Sequence, residues 1–165
     1  MFIHLTPKSE LARIRRNGVA RSRRVRSELP SGVYAVPVTR NFFVSHQWVR
    51  ELKRHNASRT IAGIYFRLPD EEMVWVGHYN QSHRLVSAAE AVAELMAAEN
   101  REGWEVIIPR RIGAKEIHRV KSLPQVLGWR YFPDAKGKPP FCICEYCTRG
   151  EYGARRLRAR LGGPA

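Results

Sequence analysis

The stretch Ile-His-Leu-Thr, residues 3–6, places two polar side chains on one side of a short apolar strand. Alternate residues of a strand point to the same face, so His4 and Thr6 should emerge together while Ile3 and Leu5 face the core. Taken alone, this pattern is typical of a half-buried edge strand whose polar face meets water. The rest of the chain decides whether these side chains have a further task.

A helix is predicted directly after this strand. Thr6 is a favoured N-cap residue, and Pro7 suits the first helical position. Leu11 and Ile14 recur at helical spacing, which predicts one buried face. The pair Asn17-Gly18 tolerates a left-handed backbone and therefore predicts the end of the helix.

The remaining elements mix strands with short helices, which predicts the α+β class. We expect a hairpin between the strands at 60–68 and 73–79, connected through 69–72. Ser87 and Glu90 have the spacing of a capping box and predict the start of a helix that ends near Glu99. Further strands are predicted at 32–38 and 104–109, a helix at 45–55, and another element from Ile117 to Val120.

Arginine dominates the composition. The 165 residues carry 29 Lys and Arg against 15 Asp and Glu, a formal net charge of +14. Because guanidinium groups match phosphate geometry, this excess favours a polyanionic partner such as DNA or RNA, although a merely solvated surface gives the same composition. No apolar run is long enough to cross a bilayer and no secretion signal is recognisable, so we expect a cytoplasmic location with no membrane partner.

Three side chains on predicted central strands are candidates for chemistry: His4, Tyr34 and Glu105. Glu105 begins the apolar run Trp-Glu-Val-Ile-Ile, where a buried carboxylate needs a partner or a function. Each residue also has an ordinary explanation, because a strand histidine or tyrosine is commonly structural and Glu105 could pair with an arginine. Their order along the chain is more informative than any one of them.

This order resembles the ADP-ribosyltransferase fold. A strand with His-x-Thr, a helix ending in Asn-Gly, a strand with Gly-Val-Tyr, a helix with Ser and a late strand with Glu are similar to its His-Tyr-Glu branch. That branch includes diphtheria toxin, poly(ADP-ribose) polymerases and some nucleic-acid-modifying bacterial toxins. The resemblance covers about residues 2–120 and implies NAD bound in a split between two small, mostly antiparallel sheets with short flanking helices.

The resemblance also implies roles for individual residues around NAD. His4 would hydrogen-bond the adenosine-side ribose, and the Leu5 backbone would hold the nicotinamide amide, although polymerase-type members usually carry Gly there. Tyr34 would stack on the nicotinamide ring, and Glu105 would be the catalytic acid. Supporting positions would be Thr6 at the ribose, Ser45 at the ribose and the glutamate, Trp48 on the second face of the ring, and the arginine loop with Arg21 and Arg23 at the pyrophosphate or an anionic acceptor.

The C-terminal segment differs from the rest of the chain. We expect a domain over 1–132 and, over 133–165, a basic tail with a cysteine cluster. Cys142, Cys144 and Cys147 form a C-x-C-x-x-C spacing that could hold structural zinc with a fourth ligand from elsewhere. Three reduced cysteines without metal are an equally open interpretation.

The resemblance thus implies an NAD-dependent ADP-ribosyltransferase that modifies a macromolecule, and the net charge favours DNA or RNA as the acceptor. The resemblance further implies a toxin or defence role and a possible neutralising protein partner. A tRNA 2'-phosphotransferase-like enzyme is the first alternative, although that family uses histidine and arginine in place of the late glutamate. A basic nucleic-acid-binding module without catalysis is the second.

Overall fold

The computed structural model describes residues 1–22, 31–56, 60–79 and 81–125, and these form an α+β fold. Strands and helices alternate irregularly along the chain, and two short 3-10 turns cover Lys8–Glu10 and Ala114–Glu116. The helices are α1 (Leu11–Asn17), α2 (Phe42–Ser45), α3 (Val49–Asn56) and α4 (Ala88–Ala97). The strands are β1 (Phe2–Pro7), β2 (Val33–Pro37), β3 (Ile61–Phe66), β4 (Met73–His78), β5 (Arg84–Ser87), β6 (Trp104–Ile108) and β7 (Ile117–Ser122).

All seven strands belong to one antiparallel sheet in the order β5-β4-β6-β2-β1-β3-β7. The expectation of two separate sheets is therefore wrong, because Phe2 pairs with Pro37 and Ile3 with Val36 across the middle. These two register pairs are the whole ladder between β1 and β2, whereas β1 and β3 share six. The sheet is continuous but joined narrowly at its centre.

Strand alternation explains how the two faces of the sheet are covered. Phe2, Val33 and Ile64 lie on one face and pack with α1 and the start of α4. Ile3 and Val36 lie on the other face and pack with α2, α3 and Leu95 near the end of α4. Each face buries its own apolar cluster, so the sheet is sandwiched between helices.

The predicted hairpin between 60–68 and 73–79 does not form. β3 lies between β1 and β7, and β4 lies between β5 and β6, in the other half of the sheet. The connecting residues have other partners, since the carbonyls of Asp70 and Glu72 accept hydrogen bonds from the first amides of α4. The Glu72 carboxylate also pairs with Arg110, at 2.8 Å between Nε and Oε1.

The first helix begins later than predicted. β1 continues through Pro7, whose ψ of 137° is extended, and no side chain caps the 3-10 turn that follows, so Thr6 is not an N-cap. The predicted end is confirmed: Gly18 has a φ of 76°, and its N–H donates to the carbonyl of Ile14. The predicted helix at 45–55 is also divided, because a turn separates α2 from α3.

The predicted start of α4 and two of the predicted strands are present in the structure. The Ser87–Glu90 capping box opens α4, and the strands at 32–38 and 104–109 are present as β2 and β6. Within the described ranges, no helix is long and apolar enough to cross a membrane. The boundary at 132/133 and the tail that follows it lie outside the described residues.

Candidate active site

The pairing of β1 with β2 stops at Ile3 and Val36, and the unpaired stretch between the two strands beyond this point is called here the gap. The N–H of Val38 donates to the carbonyl of Met1, and that of Lys8 donates to Thr60 beside β3. Because hydrogen-bonding directions alternate along an antiparallel strand, odd residues of β1 point their N–H and C=O groups towards β2. The main chain of Leu5 is therefore directed into the gap, beyond the last pair at Ile3 and Val36. The side chain of Leu5 is buried in the cluster under α2 and α3, so only the backbone of Leu5 faces the gap.

His4 bridges this gap. Its Nδ1 lies 2.7 Å from the main-chain oxygen of Tyr34, and since a carbonyl only accepts, Nδ1 carries the proton. Burial lowers the pKa of His4, an effect that the hydrogen bond to Tyr34 opposes. A neutral ring has a lone pair on Nε2, which can accept a hydrogen bond from a ligand hydroxyl.

The lowered pKa of His4 predicts a pH-dependent fold. The folded state disfavours the charged ring, so the unfolded chain binds more protons and the free energy of unfolding falls as the pH drops below about 6.5. His4→Gln should show a shallower fall between pH 7 and pH 5, measured by urea unfolding at each pH. Identical pH dependence in both proteins would refute the assignment.

Tyr34 and Glu105 share the opposite face of the sheet from His4. Tyr34 pairs with Ile107 on β6, and Glu105 lies two residues before Ile107, on the same side. His4 belongs to the face of Phe2, so it meets the Tyr34 main chain while the phenol points to the other side. The structure thus brings His4 to Tyr34 and puts Tyr34 beside Glu105, while the described contacts include none between His4 and Glu105.

Glu105 is buried and faces a histidine. Its carboxylate is 8% exposed, and Oε1 lies 3.2 Å from Nε2 of His83, whose side chain is fully buried. Gly77 is the residue opposite Glu105 on β4, and the absence of a side chain there makes room for the imidazole. The surroundings of Glu105 therefore supply the partner that a buried acid requires.

Trp48 contacts the main chain of the residue before Glu105, and Ser45 is engaged in its own loop. The indole nitrogen of Trp48 donates to the carbonyl of Trp104 at 2.9 Å, which ties the turn before α3 to the start of β6. Its ring also meets Tyr79 edge-on at 5.4 Å between centroids. Ser45 accepts a hydrogen bond from the Thr39 amide at 2.8 Å and contacts Asn41, so the contacts described for it do not include Glu105.

A basic groove of about 620 Å³ lies at the ends of β2 and β6. Arg110 forms ion pairs with Glu72 and Glu116, and Arg111 donates one N–H to the carbonyl of Asn17. Arg21 has no acidic partner among the described residues. The residues lining this groove, called here the arginine groove, are Arg13, Asn17, Gly18, Ala20, Arg21, Ser22, Ser31, Pro109, Arg110 and Arg111.

The other predicted site residues have different outcomes. Thr6 is buried on the His4 face of β1. Arg23 and the cysteines at 142, 144 and 147 lie outside the described residues. Within the described part of the chain, no group of three or more His, Cys, Asp or Glu side chains is placed to hold a metal ion.

Sequence reasoning missed His83 and Gly77. Both lie in the run Val-Gly-His-Tyr-Asn-Gln-Ser-His, where the strand ends and polar residues suggest a loop. The one available signal was a glycine within an apolar strand, which often marks a close approach by another group. Their relation to Glu105 depends on the pairing of β4 with β6, which the sequence analysis had assigned differently.

Comparison of the chain with protein-family models, curated proteins and solved structures found no match. The geometry of the site and the residue pattern are therefore the basis for a proposed function.

Proposed function

We propose that this protein is an NAD-dependent ADP-ribosyltransferase with a nucleic-acid acceptor. The observation that carries the proposal is the gap between β1 and β2, into which His4 and the main chain of Leu5 are directed. Tyr34 and the buried Glu105 occupy neighbouring strands on one face beside it. This arrangement supports an NAD site at the narrow junction of the single sheet, with the residues that the His-x-Thr, Gly-Val-Tyr and late-Glu pattern implies.

The reaction follows from the residue types. The bond between the nicotinamide nitrogen and ribose C1' breaks with its electron pair leaving on nicotinamide, while an oxygen or nitrogen of the acceptor bonds to C1' and releases its proton to solvent. Positive charge develops at C1' during this exchange, and the Glu105 carboxylate would stabilise it through a ribose hydroxyl. Tyr34 would hold the cationic nicotinamide ring by stacking, a contact on the order of 1–2 kcal/mol when desolvated.

The arginine groove supports a nucleic-acid acceptor rather than a neutral one. It adjoins the first residues of β2 and the last of β6, the same strands that carry Tyr34 and Glu105. Glu105 lies three residues before the end of β6, a separation of about 10 Å along the strand. A phosphate backbone bound by Arg21 and Arg111 would lie at the end of β6 on the side of α1, and a nucleotide would have to pass this end of the strand to reach Glu105 on the other face.

Charge reversal in the groove tests the acceptor class. We expect the double variant Arg21→Glu with Arg111→Glu to weaken binding of a single-stranded oligonucleotide roughly tenfold or more, because two phosphate contacts are lost. The slope of log affinity against log salt should fall by about two. The measurement is fluorescence anisotropy titration at several salt concentrations.

A matched control separates the groove from net charge. Arg15 and Arg16 are exposed on α1 and do not line the groove, so reversing both gives the same change in charge. Equal loss of binding in the two double variants would mean that only total charge matters, and the groove assignment would be abandoned.

The activity itself is tested by nicotinamide release. Purified protein is incubated with NAD and, separately, with single-stranded DNA, RNA, 2'-phosphorylated RNA or protein extract, and free nicotinamide is quantified by chromatography. Release that depends on DNA or unmodified RNA supports the proposal. Release only with 2'-phosphorylated RNA supports the tRNA 2'-phosphotransferase alternative, and oligonucleotide binding without any release supports the non-catalytic binding module.

A further inference from the structure

His83 occupies a space made by a missing side chain. The register of β4 with β6 sets Gly77 opposite Glu105, and the pairing of Val76 with Arg84 brings His83 alongside Gly77. A Cβ added at Gly77 would lie 2.9 Å from Cγ of His83, closer than side-chain carbons approach. The imidazole can reach Glu105 only because residue 77 is glycine.

The contacts of the imidazole fix where its protons lie. Nδ1 is 3.0 Å from the carbonyl of Gln81, and a carbonyl only accepts, so Nδ1 carries a proton. Nε2 is 3.2 Å from Oε1 of Glu105, at an angle outside hydrogen-bonding range, and it is the one buried side-chain nitrogen or oxygen without a hydrogen-bond partner in the described residues. Two lone pairs facing each other at this distance repel, so the contact is favourable only with a proton between Nε2 and Oε1.

An imidazole is ordinarily more basic than a carboxylate, so a proton shared by the pair would lie on Nε2, and a small rotation would complete the hydrogen bond. An unsatisfied buried donor in an otherwise satisfied interior commonly marks a functional group. A donor such as Nε2 can keep a buried carboxylate ionised and in one rotamer.

We propose that His83 is a positioning residue for Glu105. Its Nε2 proton holds Oε1, which keeps the carboxylate charged and fixes its rotation. The catalytic part of this inference rests on the proposed function, since Glu105 touches the ribose and His83 acts through Glu105. The protonation part stands on the contacts of His83 alone.

Two conservative variants separate positioning from packing. In His83→Gln, the side-chain amide nitrogen reaches the position of Nε2 and retains a donor to Glu105. In His83→Asn, the shorter side chain puts its amide nitrogen at the position of Nδ1, so the donor to Glu105 is lost. We expect His83→Asn to lower kcat for ADP-ribosyl transfer about tenfold with the KM for NAD within twofold, as for residues that orient a catalytic group. His83→Gln should remain within threefold of wild type. Equal kcat in the two variants, whether low or wild-type, would overturn the positioning role.

A spectroscopic readout keeps the inference testable if no transfer is found. Nitrogen-15 NMR of labelled histidine distinguishes protonated from unprotonated ring nitrogens. We expect both nitrogens of His83 to be protonated in the wild type at neutral pH, and Nε2 to lose its proton in Glu105→Gln, where the amide becomes the donor. An unprotonated Nε2 in the wild type would overturn the inference without bearing on the ADP-ribosyltransferase proposal, which nicotinamide release tests separately.

Discussion

Replacing Glu105 with Gln is expected to lower the rate of ADP-ribosyl transfer by a factor on the order of 10²–10³ while NAD binding changes less than threefold. The amide matches the carboxylate in shape but lacks the charge that stabilises the developing cation at C1'. The fold should be preserved, because the amide can donate to Nε2 of His83, 3.2 Å from the present position of Oε1. Transfer rates and the Kd for NAD, measured on the same preparation, check both halves of the expectation.

Glu102→Gln is the matched control for this variant. Glu102 precedes β6 by two residues and is exposed, so its replacement removes the same charge from the same segment. It should leave the transfer rate within twofold of wild type. Full activity in Glu105→Gln, or equal losses in the two variants, would remove Glu105 from the reaction.

The second large effect is expected at Tyr34. Tyr34→Ala should raise the Kd for NAD about 10- to 30-fold, because stacking and cation–π attraction to the nicotinamide ring are lost together. Tyr34→Phe keeps the ring and should stay within threefold of wild type. Isothermal titration calorimetry gives both constants, and an unchanged Kd in a folded Tyr34→Ala protein would exclude stacking at this position.

Local signals in the sequence predicted local structure correctly. The Ser87–Glu90 capping box and the left-handed Gly18 are formed by neighbouring residues, so their sequence patterns were sufficient. Thr6 failed as an N-cap because β1 pairs with β3 through Pro7, and these sheet hydrogen bonds extend the strand past the predicted helix start. Tertiary pairing thus overrode a local preference.

Strand order could not be read from the same signals. Two neighbouring strands with a short polar connection suggested a hairpin, yet β3 and β4 lie in different halves of the sheet because the connection bonds to α4 and Arg110. The partner of Glu105 was missed for the same reason. His83 approaches Glu105 only through the registers of β4 with β5 and β6, which no local pattern reveals. His4, Tyr34 and Glu105 could be named as candidates, but their relative placement could not.

The most direct measurement of the central claim is label transfer from NAD. NAD carrying a radiolabel in its adenylate part is incubated with wild-type protein and single-stranded oligonucleotides, with Glu105→Gln in parallel. The account predicts label on the oligonucleotide with equimolar nicotinamide release for the wild type, and both reduced at least a hundredfold in the variant. Stable oligonucleotide binding by a folded wild-type protein, with no label transferred and no nicotinamide released, would contradict the account.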